Sequence, residues 1–148
     1  MTEVPWFEDF SVGDNLSDVP SITITDGYSA IHQSVFADRM RLPIDSPLCK
    51  HVTGSDRMLV NPSLAANIAI GQSTIPTQRV LGNLFYRGLR FHRPVFVGDT
   101  LTTTTKVVAL RQNTIKPGRA ASGMVGLEMH VVNQDGQIYR HLTGGWGV

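Results

Sequence analysis

Apolar and polar positions along this chain change rhythm twice. Residues 1–20 scatter Phe7, Phe10, Val12 and Leu16 among acidic and turn residues and end in Val19-Pro20, the pattern of an irregular arm with one short strand. Ile22-Thr-Ile24 then leads into Thr25-Asp26-Gly27, a plausible cap for a helix from about Tyr28 to Ala37, where Tyr28, Ile31 and Val35 recur at helical spacing as an apolar stripe. Asp38 to Val60 sustains neither a helical nor a strand period, contains two prolines and a glycine, and predicts a long loop of the kind that often carries function. A second helix starts cleanly: Asn61 caps it, Pro62 suits the first helical position, and Leu64, Ala65, Ile68 and Ala69 form its apolar stripe. Its small residues predict deep burial.

After Gly71-Gln-Ser-Thr74 the rhythm becomes that of strands. One runs from Val80 to about Phe91, Arg93–Asp99 reads as a turn segment, and Thr100–Leu110, Arg119–Val132 and Gln137–Thr143 are three more strands. Lys116-Pro-Gly118 and Asn133-Gln-Asp-Gly136 supply the turns. The strands read as an antiparallel meander of four. Short strand, helix, loop, buried helix and then strands fit an α+β layer architecture, an antiparallel sheet wrapped around one central helix. Such a sheet leaves an edge strand bare, so a homodimer or similar pair of units is expected.

Composition narrows this picture. The 148 residues and 41% hydrophobic content fit one domain, residues 1–148, with one packed core. With 17% charged residues, a formal net charge of +1 and no Lys/Arg run, nucleic acid is not an expected partner. No stretch approaches the roughly 20 apolar residues that span a bilayer. Cys49 stands alone, without a metal-ligand spacing, which points to a reducing, cytoplasmic setting and to no metal.

Two segments carry a resemblance. Trp6-Phe-Glu-Asp-Phe-Ser-Val-Gly-Asp-Asn-Leu16 is similar to the opening arm of the MaoC-like hydratases, and Phe91-His-Arg-Pro-Val-Phe-Val-Gly-Asp-Thr-Leu101 resembles that family's PV-to-GDTL strand start. With the order of elements, the likeness covers nearly the whole chain. It implies a hot-dog fold and a reversible hydration of an enoyl-CoA, or dehydration of a 3-hydroxyacyl-CoA, without metal or redox cofactor. Ile70-Gly-Gln-Ser-Thr74 and Arg79–Gly88 further resemble a subgroup near mesaconyl-CoA hydratases and actinobacterial double-hot-dog proteins, which implies a branched or dicarboxylic acyl group.

Hydrating an enoyl thioester takes a base for water, an acid for the α-carbon and donors for the enolate oxygen. The family implies an Asp followed by Asn-Pro-x-His, and a backbone N–H at the start of the buried helix. Ala37-Asp38-Arg39 matches the position of that aspartate, and Leu42-Pro-Ile-Asp45 stands where Asn-Pro-x-His belongs, so Asp45 takes the histidine's place two residues late. Asp38 and Asp45 can work as a pair if one is held protonated. His51 in the loop is the preferred substitute histidine, and His32 reads more simply as a partly buried structural residue. Val60-Asn61-Pro62 replaces the usual Ala-His-Gly; because Pro62 has no N–H, Ser63 or a later amide must donate.

Each candidate has a plainer role. Asp38 can pair with Arg39 or Arg41, Asp45 can close an Asx turn, and Asn61 is first a cap, with substrate contact second. Arg79, Arg87, Arg90 and Arg93, with His92, can meet the phosphates of an acyl-CoA or acyl-carrier thioester, Arg87 and Arg90 above all, or form a solvated strand face. By alternation Arg87 and Arg90 face opposite ways unless a bulge intervenes. Cys49 beside Lys50 and His51 reads as a small buried hydrophobe rather than a nucleophile. Residues 61–70 carry no carboxylate, which argues against a hot-dog thioesterase. The rival from another class is a non-catalytic acyl-binding or structural unit that pairs with a catalytic partner.

Overall fold

A computed structural model describes residues 4–17, 19–74, 77–115, 117–118 and 122–147. The elements are β1 (Ile22–Thr23), α1 (Asp26–Phe36), α2 (Ser46–Thr53), α3 (Pro62–Gln72), β2 (Gly82–Phe91), β3 (Thr100–Gln112), β4 (Gly123–Val132) and β5 (Ile138–Gly147). The strands form one antiparallel sheet in the order β1-β3-β4-β5-β2. Both expected helices, the sheet and its wrap around the second helix are present. The start of the third expected strand, Arg119–Ala121, lies outside the described residues.

Period-two burial makes the inner face. Leu101, Thr103, Thr105 and Val107 of β3 and Val125, Leu127, Met129 and Val131 of β4 point inward and are buried. Against one end of that face lies α3, whose Leu64, Ala65, Ile68 and Ala69 pack with Leu101, Val131 and Tyr139. At roughly 1.5–3 kcal/mol per fully buried large aliphatic side chain, this contact is a main source of the core's stability. The last turn of α3 is polar but satisfied: Gln72 accepts from the Thr103 hydroxyl at 2.6 Å and donates to the carbonyls of Pro20 and Leu101. The other end is covered by the N-terminal arm, where Phe7, Phe10 and Leu16 meet Val107, Val125, Leu127 and Met129.

The Phe7 ring lies directly on Gly123, leaving no room for a Cβ. Gly123→Ala must therefore displace the Phe7 ring, and a loss of about 1–3 kcal/mol in urea unfolding is expected. An unchanged midpoint would show that the arm contributes nothing to the fold.

Two sequence expectations are corrected. The strands are not a simple meander: β2 lies beside β5, the last strand, rather than beside β3. The arm and β1 occupy the outer edge of β3 instead, through Gly13 N–H to Val107 O and Leu16 N–H to Thr105 O, both 2.8 Å. Second, Asp38–Val60 is not all loop. Asp45 caps α2, Pro47 sits in its first turn and Gly54, at φ 71°, closes it in the left-handed region. The apolar stripe of α1, for which the sequence sets no direction, faces outward: Ile31 is 67% and Val35 70% exposed, while His32 is only 6% exposed. The face of α1 turned to the interior is the one that bonds to α3, and that face is polar.

A second exposed apolar surface lies on β2. Every residue of β2 after Gly82 is exposed, including Leu84, Phe85, Tyr86, Leu89 and Phe91. Among the described residues, no strand covers the second edge of β2.

Behind the sheet's end, Asp99 ties three segments together. This fully buried carboxylate accepts from the Phe96 N–H at 2.9 Å, from the Arg57 guanidinium at 2.7 Å and from the Tyr139 hydroxyl at 3.2 Å. Gly98, at φ 94°, makes the turn that brings Asp99 inward. Burial alone would raise its pKa. The Phe96 amide and Arg57 outweigh that and hold it below the usual carboxylate value.

Candidate active site

Asn61 and Pro62 open α3 as the sequence predicts: the Asn61 Oδ1 accepts from the Ser63 N–H at 2.9 Å and from the Ser63 hydroxyl at 2.7 Å. A backbone N–H can only donate, so this bond fixes which end of the carboxamide is oxygen. The Nδ2 end then faces Asp38 and donates to its Oδ2 at 2.7 Å. The other carboxylate oxygen accepts from the Met40 N–H at 2.8 Å, and Gln33 of α1 donates to the Asp38 carbonyl. Ala37, in the left-handed region at φ 48°, ends α1 and turns the chain so that Asp38 reaches α3. On the far side of Ser63, the Oγ lies 2.8 Å from the buried His32 Nε2.

The result is a chain of polar groups, His32–Ser63–Asn61–Asp38, joining α1, the following loop and the start of α3. The Met40 amide and then the Asn61 carboxamide hold Asp38 below the usual carboxylate range, with His32 adding to the effect. Asp38 is thus ionised at neutral pH, oriented at both oxygens and half-buried. Ser63 is exposed, so the cluster opens outward there. Beside it, a cavity of about 340 Å³ lies against Pro62 and Ala65 and is walled by Leu59, Val60 and Phe91–Val95.

The other sequence candidates fall elsewhere. Asp45 caps α2, accepting from the Leu48 N–H at 3.0 Å, and pairs with Arg41 at 3.3 Å. His51 is exposed in the last turn of α2; among the described residues no hydrogen bond or ion pair joins it to Asp38. Arg87 and Arg90 lie exposed on β2, with the Arg87 guanidinium 4.7 Å from the Phe85 ring centre. The bulge that would let them share a side is present: the β2–β5 register shifts between them, where Gly88 has φ 64°. Cys49 is buried and accepts from the Leu59 N–H at 3.3 Å.

The start of α3 differs from the expected donor arrangement. Pro62 has no N–H, the Ser63 amide is bonded to the Asn61 side chain, and the Leu64 and Ala65 amides both point to Asn61 O at 3.0 and 3.2 Å. The Ser63 hydroxyl proton is likewise taken by Asn61 Oδ1, so the donor left for a substrate is the second Nδ2 hydrogen of Asn61. Sequence reading named Asn61 and Ser63 but not their bonds to Asp38 and His32. The one sequence signal was His32 itself, a histidine expected to be partly buried, which lies on the interior face of α1.

A sheet wrapped around α3 with this topology defines a hot-dog protein. A double hot-dog protein from Mycobacterium tuberculosis superimposes with a TM-score of 0.95 at 46% identity, over 97% of this chain and 44% of that one. A MaoC-domain protein from Chloroflexus aurantiacus follows at TM-score 0.88 and 32% identity, over 100% of this chain and 42% of its own. The β-methylmalyl-CoA dehydratase of the same organism is 36% identical over 131 residues, 87% of this chain and 36% of the relative. No family model matches. This chain belongs to the MaoC-like hot-dog family. It spans less than half the length of these relatives.

Proposed function

We propose that this chain is one hot-dog unit of an acyl-CoA hydratase/dehydratase, with Asp38 as its acid–base residue. The observation that carries the reading is the Asp38 carboxylate, ionised and held at both oxygens beside the start of the buried helix. In the hydration direction Asp38 takes a proton from water as the water oxygen bonds to the β-carbon of the enoyl thioester. The proton it gains is the one the α-carbon must receive, so a single carboxyl can serve both ends of an addition to one face. The donor to the developing enolate oxygen is the second Nδ2 hydrogen of Asn61, with Ser63 holding the other end of that carboxamide. No metal or redox group enters this chemistry. The β-methylmalyl-CoA dehydratase likeness favours a branched, dicarboxylic acyl-CoA over a simple fatty one.

The exposed apolar side chains of β2 take a second hot-dog unit, a second copy of this chain or a paired domain, as the double-hot-dog relative supports. Replacing both Leu84 and Leu89 with Lys is expected to shift the chain to monomer in sedimentation; an unaltered assembly would remove β2 from the interface. No helix among the described residues is long and apolar enough to cross a membrane. A cytoplasmic setting suits both an acyl-CoA substrate and the unpaired Cys49.

Incubation with crotonyl-CoA and with mesaconyl-CoA, following loss of enoyl absorbance, tests the activity. Turnover on either supports the reading. Binding without turnover on any enoyl-CoA would instead favour a non-catalytic acyl-binding unit, the role that the bonded amides of α3 and the absent loop histidine would fit.

A further inference from the structure

The hydrogen bonds at the start of α3 have a direction. The Ser63 hydroxyl lies 2.7 Å from Asn61 Oδ1, an atom that can only accept, so the hydroxyl proton points to Asn61. The Ser63 Oγ then has only lone pairs to offer His32, 2.8 Å away. From this we infer that His32 carries a proton on Nε2 and donates it to Ser63, making His32 the first donor of a one-way chain that ends on the Asp38 carboxylate. Each bond in that chain, Nε2–H to Oγ, Oγ–H to Oδ1 and Nδ2–H to Oδ2, is polarised by the anion at its end.

His32 touches neither Asp38 nor the site where substrate would sit, so it acts as a positioning residue. It is held for this role by burial and by the Phe36 ring, 4.7 Å from its own. With Nε2 donating, the Ser63 hydroxyl has one orientation, Asn61 Oδ1 is kept doubly bonded, and Nδ2 stays turned to Asp38. A histidine from the preceding helix thus supports the aspartate in the absence of the loop histidine that the family pattern implies. The charged and titratable groups about Asp38 are His32 from α1 and, on its own segment, Arg39, Arg41 and Asp45, the last two paired with each other. The helix α3 carries none.

That Asp38 is the base rests on the reading above; the donor chain does not, and its test needs no turnover. Long-range proton–nitrogen spectra of the intact chain report which His32 nitrogen holds the proton, and carboxyl carbon spectra follow the Asp38 titration. The expected result is a protonated Nε2, with the Asp38 midpoint raised by about half a pH unit, roughly threefold in ionisation constant, in His32→Leu. Ser63→Ala, at an exposed position, should raise it similarly, and His32→Gln, whose amide N–H reaches where Nε2 sits, should bring it back toward the wild-type value. A bare Nε2, or a midpoint unmoved in both His32→Leu and Ser63→Ala, would overturn the inference. If Asp38→Asn retained full turnover while these shifts appeared, the base assignment would fall and the donor chain would stand.

Discussion

Asp38→Asn is expected to lower kcat for enoyl-CoA hydration by about 10²–10⁴-fold, the range that a positioned acid–base group contributes, with acyl-CoA binding retained. Asparagine keeps the shape and can still accept from the Met40 N–H at its Oδ1, while its Nδ2 end gives up the bond from Asn61, so the loop keeps one of its two ties at this residue. What it cannot do is take a proton from water. The pH dependence follows with a definite sign. Activity requires ionised Asp38, so the acid limb of kcat/KM falls at the pKa of that group in the folded protein. The Met40 amide and the Asn61 carboxamide place that pKa below the usual carboxylate range, so the limb should lie below the ordinary Asp value of about 3.9. Asn61→Ala removes one donor and should move the limb upward. Full turnover by Asp38→Asn on both crotonyl-CoA and mesaconyl-CoA would end the assignment.

The sheet's inner face was legible in the sequence because alternation is local: Leu101, Thr103, Thr105 and Val107 alternate with polar neighbours whatever lies beside them. Strand order was not. Nothing local to Gly82–Phe91 says that it pairs with the last strand rather than the next, because pairing is decided by the crossover through Arg93–Asp99. The signals for α2 were present as Asp45, Pro47 and Gly54, but the proline was read as a breaker when it stood in a first turn. For α1 the spacing of Tyr28, Ile31 and Val35 marks an apolar stripe but sets no direction for it. Periodicity reports that a face is apolar, not what covers it, and here the stripe lies exposed while His32 turns inward.

The site divides in the same way. Asp38 and Asn61 each carried a local signature, a motif position and a helix cap, but the 2.7 Å bond between them joins residues far apart in sequence. Asp45 was a candidate because it stands where the family pattern has its histidine, and His51 because it lies in the segment ahead of α3; the helix α2 uses Asp45 as its cap and leaves His51 exposed. Folding brought Asp38 to the start of α3 instead, because the left-handed Ala37 directs the chain there.

Asp99→Ala should cost about 3 kcal/mol, or roughly 6–12 °C in Tm for a chain of this length. The substitution leaves the Phe96 N–H and the Tyr139 hydroxyl without their acceptor and strands Arg57, whose side chain is half exposed and so recovers part of its solvation. The effect depends on pH with a fixed sign. A carboxylate whose folded pKa lies below its unfolded value adds stability above the unfolded pKa, and that stability is lost as pH falls through the folded one. Urea midpoints for the parent chain should therefore drop below about pH 4, and the drop should be smaller in Asp99→Ala. The same change should reach the site. Arg57 leads through Leu59, bonded to Cys49, and Val60, bonded to the Val95 carbonyl, directly into Asn61. Loosening that segment misplaces the carboxamide that holds Asp38, so kcat should fall even at temperatures where Asp99→Ala remains folded. Equal pH dependence in the two proteins would show that Asp99 is not the carboxylate responsible for acid sensitivity.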